Sequence, residues 1–333
     1  MAPDELPGQM RAAAATLLAA LDGEQRALAA LPFADDAARR WLEYRPERRP
    51  GACLGRFSGA ARKAAHRLLA TGLSDHAYAQ AMAIIALEEV LDRQEGWRRG
   101  RHSNDYWVSV FGEPGGDGPW SWRFEGHHLS VSMTVLGEQV SPAPVFLGAN
   151  PASVSYAGRP VSRPLAPEED LARALLDAMG PAGRAVAVIA DRAPADIRTG
   201  TSARAADGID PPGIGAGRLG PGARALLGQL AALYLDRLPA GLAAREADRI
   251  GAGELHFAWE GPVTPGGRWY YRVQGDDLLI EYDNTVADGH AHTVLRRPRS
   301  DFGEDVLAAH YRQAHVTRPN APTAASPAVL TEP

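Results

Sequence analysis

This chain of 333 residues is short of lysine, of cysteine and of long apolar runs. Lys63 is its only lysine. No Gly-rich loop can therefore present a Walker-type lysine to phosphates, and Schiff-base catalysis would rest on that one side chain. Cys53 is its only cysteine. One thiol cannot close an intrachain disulfide, build a thiolate zinc cluster or hold an iron–sulfur centre. A catalytic thiol would have to be Cys53, in the turn Pro50-Gly51-Ala52-Cys53-Leu54-Gly55, where a small apolar filler is the simpler role. The apolar run Ala12–Ala20 is far below the roughly 20 residues that a membrane span needs. A net charge of -5 gives no electrostatic reason to expect nucleic acid. The opening Met1-Ala2-Pro3-Asp4-Glu5 lacks the positive start of a secretory signal, so the default expectation is a cytoplasmic protein.

What is present is ordinary for a globular chain: 45% hydrophobic and 23% charged residues, with length for one large domain or two. The basic residues are almost all arginine. With abundant Ala, Gly and Pro, that bias reads as a GC-rich coding sequence more than as phosphate binding.

Periodicity divides the chain. Apolar residues at three- and four-residue spacing predict helices over Met10–Asp22, Ser58–Thr71 and Ser74–Glu95, with Ser58 and Ser74 as N-caps. Arg45–Gly51, with two prolines and a glycine, is a loop. From Asp105 the period changes to that of strands: Tyr106–Phe111, Trp120–Leu136 and Val140–Leu147, split by the turn Glu113–Pro119 and by Gly137-Glu138. Helices are expected again at Pro167–Met179 and Pro181–Ala190, then a mobile Pro/Gly-rich connector over Thr199–Gly217. Helices at Pro221–Leu238 and Gly241–Ile250 precede strands Glu254–Trp259, Arg268–Gln274 and Leu278–Asp283, with Gln274–Asp277 as a hairpin turn. A last helix near Phe302–Arg312 leads to a disordered tail. Strands that cluster between helices, with hairpin-length links, predict an α+β fold with a mostly antiparallel sheet flanked by helices. A faint internal repeat also runs through the helix starts. Leu21–Arg26, Phe57–Arg62, Met179–Arg184 and Leu219–Arg224 each place an apolar residue, a cap or turn, then arginine. Helix starts alone can generate this spacing.

Histidine and carboxylate carry the chemistry. Glu125-Gly126-His127-His128 and Glu281-Tyr282-Asp283-Asn284, followed by His290-Ala291-His292, hold four of the ten histidines. Imidazole with carboxylate suits zinc, iron, copper or manganese. On an extended strand His127 and His128 point to opposite faces, so one ligand is expected from that pair unless Gly126 hosts a bulge. His290 and His292, two apart, point the same way. Glu281 and Asp283 share a face and can act as ligands or as acceptors for imidazole N–H. His256, alternating with aromatics, reads as a core histidine. His66, His76, His102, His310 and His315 have no converging partners, and Glu88-Glu89 reads as a source of an ion pair with arginine. Arginine's planar fork suits a carboxylate or phosphate, which brings in Arg123, Arg163, Arg272 and Arg296, although structural ion pairs are the simpler use of each.

Several segments together resemble a bacterial family named domain of unknown function 3500: Phe111-Gly112, Gly118–Ser130, Phe146–Pro151, Tyr270–Gly275, Ile280–Thr285 with His290-Ala291-His292, Asp301-Phe302-Gly303 and His310-Tyr311. The resemblance runs from about Leu31-Pro32-Phe33 to Tyr311. It implies one continuous unit and, as the family's name records, no particular activity. The loop Val286–Gly289 departs from relatives, which carry more asparagine there.

The expectation is therefore a single α+β domain over 31–315, with a helical extension over 1–30 and a tail over 316–333. Its site would hold a divalent transition metal on His127, His128, His290 and His292, with Glu125, Glu281 and Asp283 as catalytic carboxylates. Arg123, Tyr271 and Asn284 would bind a small-molecule substrate, and Trp120, Trp122, Tyr270 and Tyr271 would wall an apolar pocket around the ion. Hydrolytic and oxidative chemistry both remain open. The rival expectation is a non-catalytic protein that binds a small ligand. Neither membrane nor nucleic acid is expected as a partner, and oligomeric state is left open.

Overall fold

In the computed structural model, which describes residues 5–251, 253–264, 266–285 and 289–308, one element order occurs twice. The first pass contains α1 (Leu6–Ala20), α2 (Gly23–Ala29), β1 (Ala30–Leu31), α3 (Asp36–Arg39), β2 (Ala52–Cys53), α4 (Gly59–Gly72) and α5 (Asp75–Gln94). It continues through β3 (Tyr106–Phe111), β4 (Trp120–Gly126), β5 (Leu129–Leu136), β6 (Gln139–Ser141) and β7 (Val145–Ala149). A separate hairpin, β8 (Val154–Tyr156) with β9 (Arg159–Ser162), links the halves. The second pass contains α6 (Ala166–Ala178), α7 (Gly180–Ala187), β10 (Val188–Ala190), β11 (Ile214–Gly215), α8 (Pro221–Leu235) and α9 (Ala240–Ile250). It closes with β12 (His256–Glu260), β13 (Tyr270–Gly275), β14 (Leu278–Asp283) and β15 (Ala291–Arg296).

The sheet order makes the duplication plain: β1-β3-β4-β5-β7-β15-β14-β13-β12-β10, with β7 and β15 antiparallel at the centre. Each outermost short strand, β1 or β10, runs parallel to its neighbour, while the main ladder between them is antiparallel. This is the α+β, mostly antiparallel, single-domain architecture that the clustering of strands predicts. Local detail repeats as well. The β4–β5 and β13–β14 hairpins both turn on two residues, and His128 (φ 62°) and Asp277 (φ 53°) hold the same left-handed place. Gly112 N donates to Leu31 O at 2.9 Å, as Gly261 N donates to Ala190 O at 3.0 Å. The faint repeat at the helix starts is one trace of this duplication.

The helices begin where the caps are. Ser58 accepts from Ala61 N, Ser74 from Ala77 N, and Pro221 occupies the first turn of α8, where its missing N–H costs nothing. Their apolar stripes, with α1 against α4 and α6 against α8, bury one face of the sheet. Ladder partners place Phe124, Val131, Val145 and Leu295 on that face, and on the same face Leu147, Thr293, Tyr282 and Tyr271.

The other face is polar yet equally buried. Arg123, Glu125, Ser130, Arg272, Glu281, Asp283, His292 and Arg296 are each at most 3% exposed. Two long loops cover it, one between β1 and β2 and one between β10 and β11. Their apolar contact is the cluster Leu42, Tyr44, Phe146, Ile197 and Val294. Charged strand residues satisfy the loops' backbone groups, which would otherwise be buried without partners. Arg123 Nη1 donates to the carbonyls of Ala38, Arg39 and Trp41, and Arg272 Nη2 to those of Ile209 and Pro211.

Some expected boundaries shift. Trp120–Leu136 is two strands, because His127-His128 turns the chain between Gly126 and Leu129, which pair. Val140–Leu147 breaks at Pro142-Ala143-Pro144 into β6 and β7. The helix expected to Ala190 stops at Ala187, where β10 begins. The connector Thr199–Gly217 is anchored: Thr199 N donates to Glu281, and Arg296 donates to the carbonyls of Ser202 and Ala203. Residues 304–308 form the described part of the last helix. Residues 309–312 of the expected helix, which include His310, as well as His315, the tail and Val286–Asp288, lie outside the described residues.

Candidate metal centre

The central seam of the polar face gathers the chemistry. The β4–β5 turn, the end of β7, the start of β15 and the end of β14 meet there. At the turn, the His128 N–H donates to Tyr44 O at 3.0 Å and its carbonyl accepts from Gly148 N at 2.7 Å. The left-handed backbone at His128 carries a cost of about 1–3 kcal/mol, and these two bonds hold it in place. Tyr106 supports the same turn, its hydroxyl donating to His127 O at 2.9 Å. Gly126 makes room for that ring, since a Cβ there would lie 2.1 Å from it.

His128, His290 and His292 each bring one ring nitrogen within 4.8 Å of the others. His128 Nε2 and His290 Nε2 stand 2.6 Å apart, close enough for one imidazole N–H to donate to the other ring. Gly148 floors the cluster, because a Cβ there would stand 2.8 Å from His128 Cδ2 and 3.1 Å from His292 Cδ2. Two nitrogens on one tetrahedral ion, each at about 2.0–2.1 Å, are roughly 3.3 Å apart. An ion therefore needs the His128–His290 contact to open by less than about 1 Å. His290, half-buried on the loop before β15, is the least buried of the three.

Protonation is divided within the cluster. Burial, then the neighbouring His127 and His290, holds His128 well below its ordinary value. Burial, with the charge of His292, lowers His290 to about 3. Both rings are thus neutral at pH 7, the form that binds metal. Burial alone would also lower His292, but hydrogen bonds and charge from Asp196 and Asp283 raise it to about 9. His292 Nδ1 donates to Asp196 Oδ1 at 2.9 Å and lies 3.6 Å from Asp283 Oδ2. Asp196 Oδ2 in turn accepts from Tyr44 OH at 2.9 Å. Tyr44 lies flat on Phe146, ring centroids 4.1 Å apart.

His127 looks the other way. Its Nδ1 faces Glu88 Oε1 of α5 at 2.5 Å, and Arg101 Nη1 lies 3.9 Å from Glu88 Oε2. The His127 and His128 rings lie 3.7 Å apart between centroids, tilted by 32°. Glu88, His127 and His128 form a second group with ligand atoms within 4.8 Å, and Asp196, Asp283 and His292 a third.

The remaining sequence-predicted residues fall elsewhere. Glu125 is 1% exposed, accepts from Glu43 N and Ser130 Oγ, and lies 3.4 Å from Arg123. Glu281 accepts from Arg198 N, Thr199 N and Oγ1, and Tyr270 OH. Both carboxylates anchor the covering loops instead of facing the imidazoles. Arg123 is occupied by loop carbonyls. Tyr271 lies on the helix-facing side, its hydroxyl bonded to Tyr234 OH and Glu168 O. Asn284 clamps the backbone of Trp269 and Gly267. Trp120, Trp122, Tyr270 and Tyr271 are buried side chains, and none of them is among the residues lining the cavity at His127. Asp283 sits behind His292, not in front of it. Arg163, Arg272 and Arg296 are paired with acids.

Tyr44 and Asp196 escaped sequence reasoning. Neither belongs to a periodic element or a spaced motif. The only signal was an aspartate in the loop Ala193-Pro194-Ala195-Asp196.

A family model described as Protein of unknown function (DUF3500) matches residues 5–304. No curated protein and no solved structure matches the chain. Among the described residues, no helix is long and apolar enough to cross a membrane.

Proposed function

Because the chain belongs to the DUF3500 family, which carries no activity of its own to transfer, we propose from the site alone that this is a metal-dependent enzyme acting on a small molecule. The observation that supports this is the convergence of His128 with His290 and His292, from segments 162 residues apart in sequence for the first pair. Structural forces do not by themselves call for three buried or half-buried imidazoles without a counter-charge at their centre, whereas a divalent ion accounts for all three. Three protein ligands leave a coordination position for water or substrate.

The chain's own residues take these roles. His128 and His290 are held neutral. His292 is oriented by Asp196 and Asp283, as carboxylates commonly orient ligating imidazoles through the distal ring nitrogen. His127 is the general base: Glu88 faces its Nδ1, which leaves Nε2 to take a proton, and its ring lies 3.7 Å from that of His128 between centroids. Glu125 and Glu281 are positioning residues that fix the two loops. Zinc in such a site would favour hydrolysis, and iron or copper oxidative chemistry.

One observation favours the rival, a non-catalytic ligand-binding protein. The direct His128–His290 contact satisfies both rings without an ion. Metal analysis of protein purified without an affinity tag decides between them. About one transition-metal ion per chain, lost in His290→Ala with His292→Ala, supports the enzyme reading. No metal after purification and none taken up on titration supports the rival.

A further inference from the structure

A cavity of about 460 Å³ opens beside the centre, with Pro46, Arg49, Arg99, Arg101, Trp107 and His127 among its walls. Its volume falls within the usual range for small-molecule sites. His127 belongs to this wall and its ring lies 3.7 Å from that of His128, so the cavity adjoins the candidate centre.

Arg49 is the unusual member. It is only 6% exposed, and its guanidinium carbon sits over the Trp107 ring at 5.3 Å from the centroid. Nη2 donates to Arg45 O. Nε and Nη1 are buried with no acceptor, and among the described residues no carboxylate lies within ion-pair distance. Burial outweighs the charges of Glu125 and Glu43, which act on Arg49 from beyond ion-pair distance, so two unbonded donors on a buried guanidinium are costly unless an anion completes them. The other buried arginine of the wall, Arg101, is already paired with Glu95 at 2.9 Å. Of the wall's acids, Glu88 is held by His127, while Glu47 and Asp105 keep solvent contact. Arg45–Arg48, next to Arg49, are all exposed, and ligand binding requires the guanidinium to turn its two vacant donors toward the cavity.

We propose that this cavity binds a small organic carboxylate, its anionic end on Arg49 and its body against Trp107 and Pro46. The guanidinium fork matches a carboxylate in two bonds, and the indole offers a flat apolar face. This names the substrate class for the reading given above, and it rests on that reading for its catalytic meaning only.

The test is calorimetric titration of the full chain with benzoate, with the neutral isostere benzamide and with inorganic phosphate, each on EDTA-treated and on zinc-loaded protein. Benzoate should bind both forms saturably, at least about tenfold more tightly than benzamide. Arg49→Gln should weaken benzoate about tenfold or more, while Arg67→Gln, an exposed arginine outside the cavity wall, leaves it unchanged. Benzoate binding to metal-free protein stands even where no metal is ever taken up, so the two readings fail separately. Equal affinity for benzoate and benzamide, no binding at all, or tighter binding of phosphate would overturn the assignment. So would benzoate binding that needs zinc and survives Arg49→Gln, which assigns the anion to the ion instead. Should Arg49→Gln not fold, wild-type crystals soaked in benzoate decide: a carboxylate on the Arg49 guanidinium supports the proposal, and one seated elsewhere contradicts it.

Discussion

Tyr44 donates its hydroxyl to Asp196 at 2.9 Å, and that bond joins the two loops that cover the polar face of the sheet. It lies directly behind His292, whose Nδ1 donates to the other oxygen of the same carboxylate. The seam between the duplicated halves is thus closed by a relay from Tyr44 through Asp196 to His292.

Removing the middle of that relay should loosen metal binding without dismantling the cluster. Asp196→Asn is expected to lower zinc affinity by about 10–100-fold, measured by competition with a chromophoric chelator. Tyr44→Phe, one bond further away, should cost less. Equal affinity in Asp196→Asn and wild type would remove Asp196 from the site.

Proton release on metal binding should follow His292. Its pKa of about 9 in the metal-free fold means the ring is cationic at pH 7, and a ligand ring must give up that proton. Calorimetry in buffers of different ionisation enthalpy should therefore show about one proton released per ion at pH 7 and almost none above pH 10. Because the folded pKa is raised from 6.5, the linked stabilisation of metal-free protein is full below about pH 6.5 and is lost as pH rises through about 9. Asp196→Asn should flatten both dependences, and an unchanged profile in that variant would contradict the assignment.

The floor of the cluster has its own variant. A Cβ added by Gly148→Ala would meet His128 Cδ2 at 2.8 Å and the Ala291 carbonyl at 3.1 Å. The expected cost in denaturant unfolding is about 1–3 kcal/mol, with metal affinity reduced because the imidazoles are pushed apart. Unchanged metal affinity in a folded variant would show that Gly148 does not shape the site.

Glu281 and Glu125 should behave as anchors. Glu281→Gln keeps the shape but removes the charge that gathers two backbone N–H groups and two hydroxyls. A loss of about 1–3 kcal/mol in unfolding free energy, at unchanged metal stoichiometry, is expected. Loss of metal with unchanged stability would return Glu281 to the ligand set.

Residue pattern foretold the fold class because period and clustering are local properties. It also paired His290 with His292 and joined them to the 127/128 pair. It could not tell which of His127 and His128 turns inward. That depends on a two-residue turn with one left-handed residue; the alternation of Trp120–Glu125 breaks at Gly126-His127-His128 and resumes out of phase at Leu129, which marks a turn without telling which imidazole faces inward. The loop partners of Glu125 and Glu281 were hidden for a related reason. A carboxylate on the polar face of a strand looks catalytic until the loop over it is known, and nothing periodic marks which loop backbone will need acceptors. Arg123 and Arg272 illustrate the same point, since their partners are loop carbonyls. The duplication was visible only at helix starts. Its clearer trace, Trp120-Ser121-Trp122-Arg123 before Gly126 against Trp269-Tyr270-Tyr271-Arg272 before Gly275, becomes legible once the sheet order aligns the hairpins.

The most direct measurement is anomalous diffraction from crystals of the untagged protein grown with zinc and recorded on both sides of the zinc absorption edge. One peak within about 2.0–2.3 Å of a nitrogen on each of His128, His290 and His292 is the expected result. A map with no peak at that seam, or one whose zinc sits elsewhere while the three imidazoles stay in mutual contact, would contradict it.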